Sequence, residues 1–336
     1  MVKNHAREQS SAFGRRSLLA GSGALALGIP RRPAEAQTSG LVVIGKEGWL
    51  FPLWDVMSRF DERQQHEVTQ VLGEATAILR RGGIELVMVM APAKSRAYRQ
   101  YLPNTVRLAD NIDRRYPAAA TELSRAGALV PDLDTAFRGI RISQPNQPLY
   151  FKTDTHWTAV GSAIAAVEVA GAMKQNLRLP PSSKPGEGLA PPVMEVNPMG
   201  DLVGLLPRAE RSKYSAETFA VRRAVEASDA GALVEDDTAD VVVIGNSFVQ
   251  PRYAFQTILS NQLGRPVGLA WRPNNFGAYF TMLEYLKSEL FRRQRPKALV
   301  WVHLEFDMQN MANSSSLGQN AMPPQTFLSE MRRAVG

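Results

Sequence analysis

A three-layer α/β/α domain on a mostly parallel sheet is the fold class this sequence predicts. Three short apolar runs carry that prediction: residues 84–90, 240–244 and 298–304. Each is as continuously apolar as a strand buried on both faces must be. Segments with helical spacing separate them, and strands that alternate with helices build parallel sheets between helical layers.

The elements follow in order. Leu41-Val42-Val43-Ile44 reads as a strand, with a turn and a second short strand in Gly45-Lys46-Glu47-Gly48-Trp49-Leu50-Phe51. Residues 62–81 place Val68, Val71, Leu72, Ala75, Ile78 and Leu79 at helical spacing, and Gly82-Gly83 stops the helix. The run 84–90 leaves its strand through Ala91-Pro92-Ala93-Lys94. A helix is expected over 117–127, with its proline in the first turn, then a short strand over 128–130. An Ala-rich helix is expected over 158–177. Residues 179–238, rich in Pro, Gly and charge, read as an irregular insertion that forms a cleft wall. The strand 240–244 runs straight into Gly245-Asn246-Ser247, a helix is expected over 279–293, and 298–304 closes the sheet.

The 336 residues include no cysteine, so the fold uses no disulfide. A core of this size needs none. Gly14-Arg15-Arg16-Ser17-Leu18-Leu19, a mildly apolar stretch and Ala34-Glu35-Ala36 form the three parts of a twin-arginine export signal over 1–36, which implies a periplasmic protein. The apolar stretch is shorter than the ~20 residues of a membrane span. The signal carries +4 of the formal +7, leaving about +3 for a single domain over 37–336. No basic motif or aromatic-interleaved basic stripe points to nucleic acid.

Two runs carry chemistry: Asp154-Thr155-His156-Trp157 and Gly245-Asn246-Ser247-Phe248. They supply an acid, an imidazole and a hydroxyl, the three groups that make a serine nucleophilic at neutral pH. The four histidines are His5, His66, His156 and His303. His5 falls in the signal and His66 in a charged helix, which leaves His156 and His303 as bases. His156 is preferred because a carboxylate lies two residues before it. Ser247 follows an apolar strand, where ligands bind in parallel sheets and backbone N–H groups can stabilise an oxyanion. Gly245 permits a tight turn there. The blander readings are an ordinary strand-end turn at Asn246-Ser247 and a helix cap at Asp154. Metal ligation by Asp-x-His lacks further His or Cys ligands. Asn275 and Gly277 are candidate oxyanion donors, or members of a plain loop. Arg272 is a candidate sugar ligand or a surface charge, and Trp157 a stacking surface or core.

Together these runs resemble the SGNH-hydrolase-like proteins of bacterial exopolysaccharide acetylation, the alginate O-acetyltransferase J and X type, over nearly the whole chain. The resemblance rests on residues 45–51, on Ala91-Pro92-Ala93-Lys94 with Tyr101-Leu102-Pro103, and on residues 150–158 with Gly161. Gly200-Asp201-Leu202 and Gly245-Asn246-Ser247-Phe248 complete it. Asn246 stands where Asp is more usual, and Phe306 where Arg would follow Glu305. The resemblance implies an exported, cofactor-free enzyme that moves acetyl groups onto hydroxyls of a secreted polysaccharide, with a membrane-bound O-acyltransferase as upstream donor. A periplasmic carbohydrate acetylesterase would use the same triad, and a silent polysaccharide-binding scaffold would need none.

Overall fold

The central sheet is built where the continuous apolar runs lie. The computed structural model describes residues 38–225 and 239–336. The signal expected at 1–36, and residues 226–238 of the expected insertion, lie outside the described residues.

Three short strands, β1 (Thr38–Ser39), β2 (Val42–Ile44) and β3 (Leu50–Pro52), pair antiparallel in a small separate sheet. Helix α1 (Glu62–Arg81) starts at Asp61, whose carboxylate accepts from the N–H groups of Arg63 and Gln64. Such a cap satisfies donors that the first turn cannot. The chain then enters β4 (Glu85–Ala91), buried beyond its first residue, and a short helix α2 (Lys94–Ala97). Next come α3 (Arg115–Arg125) and α4 (Leu133–Ser143). Between them, the strand expected over 128–130 is a single parallel bridge from Leu129 to Val87, because Pro131 removes the next ladder donor.

Helix α5 (Ala159–Asn176) is capped by Thr158, and its alanines allow close approach to the sheet. The segment expected to be irregular holds an antiparallel ribbon, β5 (Val193–Asn197) with β6 (Glu217–Val221). Two short helices lie between these strands, α6 (Asp201–Gly204) and α7 (Arg208–Arg211). Then follow β7 (Val241–Gly245), α8 (Phe255–Leu263) and β8 (Val267–Trp271). The helix expected over 279–293 is two helices, α9 (Ala278–Leu286) and α10 (Glu289–Arg293). The Ser288 side chain caps the second and lets Phe291 turn into the core. Strand β9 (Ala298–Leu304) is wholly buried, and α11 (Pro324–Val335) ends the chain.

The sheet runs β4-β9-β7-β8, all parallel. Helices α4, α5 and α8 pack together on one side; α1, α3, α9 and α11 pack together on the other. This is the three-layer α/β/α arrangement. A second, smaller core of Val42, Leu50, Leu202, Val203 and Leu206 fixes α6 to the antiparallel strands. No helix among the described residues is long and apolar enough to cross a membrane.

Candidate active site

Ser247 leaves the carboxyl end of β7 in a tight 3-10 turn. The Asn246 side chain accepts from the Phe248 N–H at 3.0 Å, which forms that turn. A Cβ on Gly245 would lie 2.8 Å from a Val249 methyl, so any side chain there would have to displace Val249 from the turn.

His156 faces Ser247. Its Nε2 lies 2.7 Å from Ser247 Oγ, and its Nδ1 lies 2.6 Å from Asp154 Oδ1. The same carboxylate oxygen accepts from the His156 backbone N–H at 3.0 Å. Acid and imidazole therefore belong to one tight turn, closed by the bridge between Tyr150 and Trp157. Trp157 is fully buried and donates to the Phe248 carbonyl at 2.8 Å, which ties the His turn to the Ser turn. Phe248 and Tyr253 pack against the imidazole ring at 4.9 and 5.4 Å.

Distant elements hold the turn. Asn197, at the end of β5, donates to Asp154 Oδ2 at 3.1 Å, and the Asp201 N–H at the start of α6 donates to the same oxygen at 3.2 Å. Asp201 Oδ1 accepts from the Thr155 N–H at 2.7 Å. A Cβ on Gly200 would sit 2.1 Å from the Thr153 carbonyl, so glycine is required for α6 to come this close. Glu217 accepts from the Lys152 and Thr153 N–H groups at 2.8 and 2.9 Å. Buried Lys94 donates to the carbonyls of Leu50, Lys152 and Asp154 at 2.6, 3.0 and 2.8 Å.

These partners set the charges. Burial alone would push the Asp154 carboxyl up; the bond and charge of His156 and the Asn197 amide outweigh it and hold Asp154 well below the usual carboxylate range. Asp201 is raised, by desolvation and then by the like charge of Asp154. Burial pushes the Lys94 ammonium down to about 8, against the pull of Asp154, Glu217 and Asp201. The ligand atoms of Asp154, His156 and Asp201 lie within 4.8 Å of one another. Both Asp154 oxygens already accept N–H bonds, which suits an orienting acid better than a metal ligand.

The sequence candidates divide. Asp154, His156 and Ser247 come together in one continuous chain of hydrogen bonds, and Thr158, not Asp154, caps α5. Arg272 does not join them: its guanidinium pairs with Glu284 at 2.8 Å on an exposed surface. Trp157 is core. The Gly277 N–H closes the turn of its own loop onto the Asn274 carbonyl, so it is engaged within that loop, and the Asn275 carbonyl accepts from the Asn320 amide. Asn246 spends its carbonyl on the turn, while its amide reaches Asn274 Oδ1 at 3.3 Å. His66 is exposed beside Glu122. Asn197 and Glu217 were invisible to sequence reading because they sit in the segment expected to be irregular. Asp201 and Lys94 fell within the quoted motifs without a role.

The family described as "SGNH hydrolase-like domain, acetyltransferase AlgX" matches residues 42–306. The "Probable alginate O-acetylase AlgJ" of Pseudomonas syringae pv. tomato is 25% identical over 292 residues, which cover 83% of this chain and 71% of that protein. Its counterpart in Pseudomonas aeruginosa is 27% identical over 299 residues, covering 83% and 72%. The "Alginate biosynthesis protein AlgX" of Pseudomonas aeruginosa is 26% identical over 299 residues; the match covers 84% of this chain and 59% of that protein. Among solved structures, the "O-Acetyltransferase Domain of Pseudomonas putida AlgJ" gives a TM-score of 0.66 at 23% identity. It covers 87% of this chain and 98% of that one, and the likeness is one of fold. The chain accordingly belongs to this family of SGNH hydrolase-like acetyltransferase domains.

Proposed function

We propose that this enzyme moves acetyl groups onto hydroxyls of a secreted polysaccharide through an acetyl-Ser247 intermediate. The observation that carries the reading is the unbroken chain Ser247 Oγ–His156–Asp154, with contacts of 2.7 and 2.6 Å. In the first half-reaction, Ser247 Oγ attacks the carbonyl of an acetyl ester while its proton passes to His156 Nε2. Asp154 holds the tautomer and stabilises the imidazolium. The tetrahedral intermediate collapses, the donor alcohol leaves with the proton from Nε2, and acetyl-Ser247 remains. In the second half-reaction, a sugar hydroxyl gives its proton to Nε2 and attacks the acetyl carbonyl, and Ser247 Oγ leaves reprotonated. The Ser247 N–H is the proposed first oxyanion donor. The Phe248 N–H is already committed to Asn246.

The relatives' names supply the polysaccharide setting, since they are named for alginate acetylation. Export through the leader at 1–36, a single domain over 37–336, and a membrane-bound acyltransferase as acetyl donor complete the proposal. The test is mass spectrometry of the mature chain with an acetyl-ester donor and oligosaccharides. An acetyl adduct on Ser247 and acetylated sugar, both lost in Ser247→Ala, are the expected result. Ester turnover that survives Ser247→Ala would sink the nucleophile. Free acetate without acetylated sugar, across all acceptors, would make the chain an esterase.

A further inference from the structure

At the carboxyl edge of the sheet that carries Ser247 lies a cavity of about 750 Å3, within the ~300–1,000 Å3 range of small-molecule sites. It is tied to the Ser turn by the bond from Asn246 to Asn274, which lines it. Trp54 and Phe306 are shared between this cavity and a smaller pocket that reaches Thr155 and Phe248, the neighbours of His156 and Ser247. Its walls therefore offer two half-buried aromatic rings, amides, and at its floor His303 with Asp307.

His303 is the unexplained group. Its side chain is 1% exposed, and neither ring nitrogen has a hydrogen-bond partner. Leaving such a group unsatisfied is costly. The ring stays neutral there, so one nitrogen donates and the other accepts. Asp307 Oδ2 lies 3.8 Å from Nδ1, close enough for a single hydroxyl to bond both. A hydroxyl donates and accepts, which matches this pair; a carboxylate only accepts, so it has nothing to donate to the Asp307 oxygen. Among the described lining residues, none is Lys or Arg. Lys94 lines the smaller pocket, but its three N–H bonds go to backbone carbonyls. Arg252, which reaches Asn197, is bound to the Val196 carbonyl and does not line the cavity.

Resting on the transferase reading, we infer that this cavity is the acceptor subsite and that it takes a neutral glycan, not a polyuronate. The flat C–H faces of neutral pyranoses cover Trp54 and Phe306, while their hydroxyls meet the amides, His303 and Asp307. A polyuronate would bring one carboxylate per sugar to a wall that holds a carboxyl group and no cation to balance the desolvated charge.

The test separates this inference from the transferase reading. Acetyl-Ser247 formation on the unaltered chain reports the latter. The former is read by calorimetric binding of a β-linked glucose hexasaccharide and a mannuronate hexasaccharide to Ser247→Ala, which cannot turn over. Expected are binding of the neutral sugar at least about tenfold tighter, and a loss of about tenfold in Trp54→Ala. Phe306→Arg, a change at a half-buried surface position, should narrow or reverse the preference. Equal or tighter binding of the uronate overturns the inference, and so does failure to bind either sugar.

Discussion

His156 and His303 differ little in burial and completely in partnership. The His156 side chain is 12% exposed and the His303 side chain 1%. Yet the two nitrogens of His156 lie between a hydroxyl and a carboxylate, while those of His303 face no partner and its ring packs on Trp301 at 4.4 Å. The difference comes from what surrounds each ring. His156 sits in a turn whose backbone N–H groups are taken by the carboxylates of Asp201 and Glu217, so its own carboxylate, Asp154, is held on the correct side. His303 lies within a strand, with Trp301 beside it and Tyr279 of α9 across from it as aromatic neighbours. What sets the proposed base apart is alignment from both sides, not seclusion.

The sharpest break of that contrast is to remove the alignment. Ser247→Ala and His156→Ala should each cost acetyl transfer about 10⁴-fold or more, measured as kcat with a soluble acetyl ester. Asp154→Asn keeps the shape but offers the wrong tautomer, and should lose about 10³–10⁴-fold. A structural control is Glu305. This buried carboxylate binds Arg96 at 2.8 Å, Arg115 at 3.0 Å and the Ala93 N–H at 2.7 Å. Desolvation would raise it, but the two guanidinium groups hold it below its ordinary value. Glu305→Gln leaves buried Arg115 without its paired carboxylate and Arg96 with Asp134 alone, and should cost about 3–5 kcal/mol in denaturant unfolding. Asn197→Ala leaves the triad and removes one of the two N–H bonds to Asp154 Oδ2; a loss of about tenfold in kcat is expected.

The smallest effect tests His303 by pH. Burial holds it down to about 3 in the folded chain, while the unfolded chain takes up the proton near pH 6.5. Between those values the unfolded state binds the extra proton, so His303 removes stability as pH falls, by about 1.4 kcal/mol per unit. His303→Phe should therefore gain on the parent as pH drops from 6.5 towards 4, read as the difference in Tm. Asp307, raised to about 7 by burial, acts in the opposite direction but is common to both chains. A Tm difference that does not change with pH would contradict the neutral, buried state of His303.

Continuity of apolar residues made β4, β7 and β9 legible, and helical spacing did the same for α1 and α5. The edge strand β8 escaped because Gly268 and Ala270 leave it only half-buried and weakly patterned. Helix α4 escaped because it buries only Leu133 and Phe137. Ribbon β5–β6 escaped because β5 shows Val193, Met194 and Val196 to solvent, so no alternation marks it. At the site, the approach of Asp154, His156 and Ser247 could be read because the proposed chemistry needs those three types and histidine is scarce. Asn197, Glu217 and Lys94 act through backbone groups and through Asp154, and a side chain that binds a carbonyl leaves no signature in a sequence. Arg272 and Gly277 attract notice by residue type alone: the Arg272 guanidinium pairs with Glu284, and the Gly277 N–H closes onto the Asn274 carbonyl.

The clamps on the acid–base turn carry a consequence for the order of assembly. They come from Lys94, from Asn197 and Asp201, and from Glu217, all more than forty residues from the turn they hold. Contacts that close long loops form late, since chain entropy must be overcome before they contribute. The β4–β9 pairing closes a longer loop still, with Glu85 facing Ala298, so the turn and the sheet wait on long-range contacts alike. During refolding, ester turnover should return together with the signal of the buried tryptophans Trp157 and Trp301, and not with the earlier helical signal.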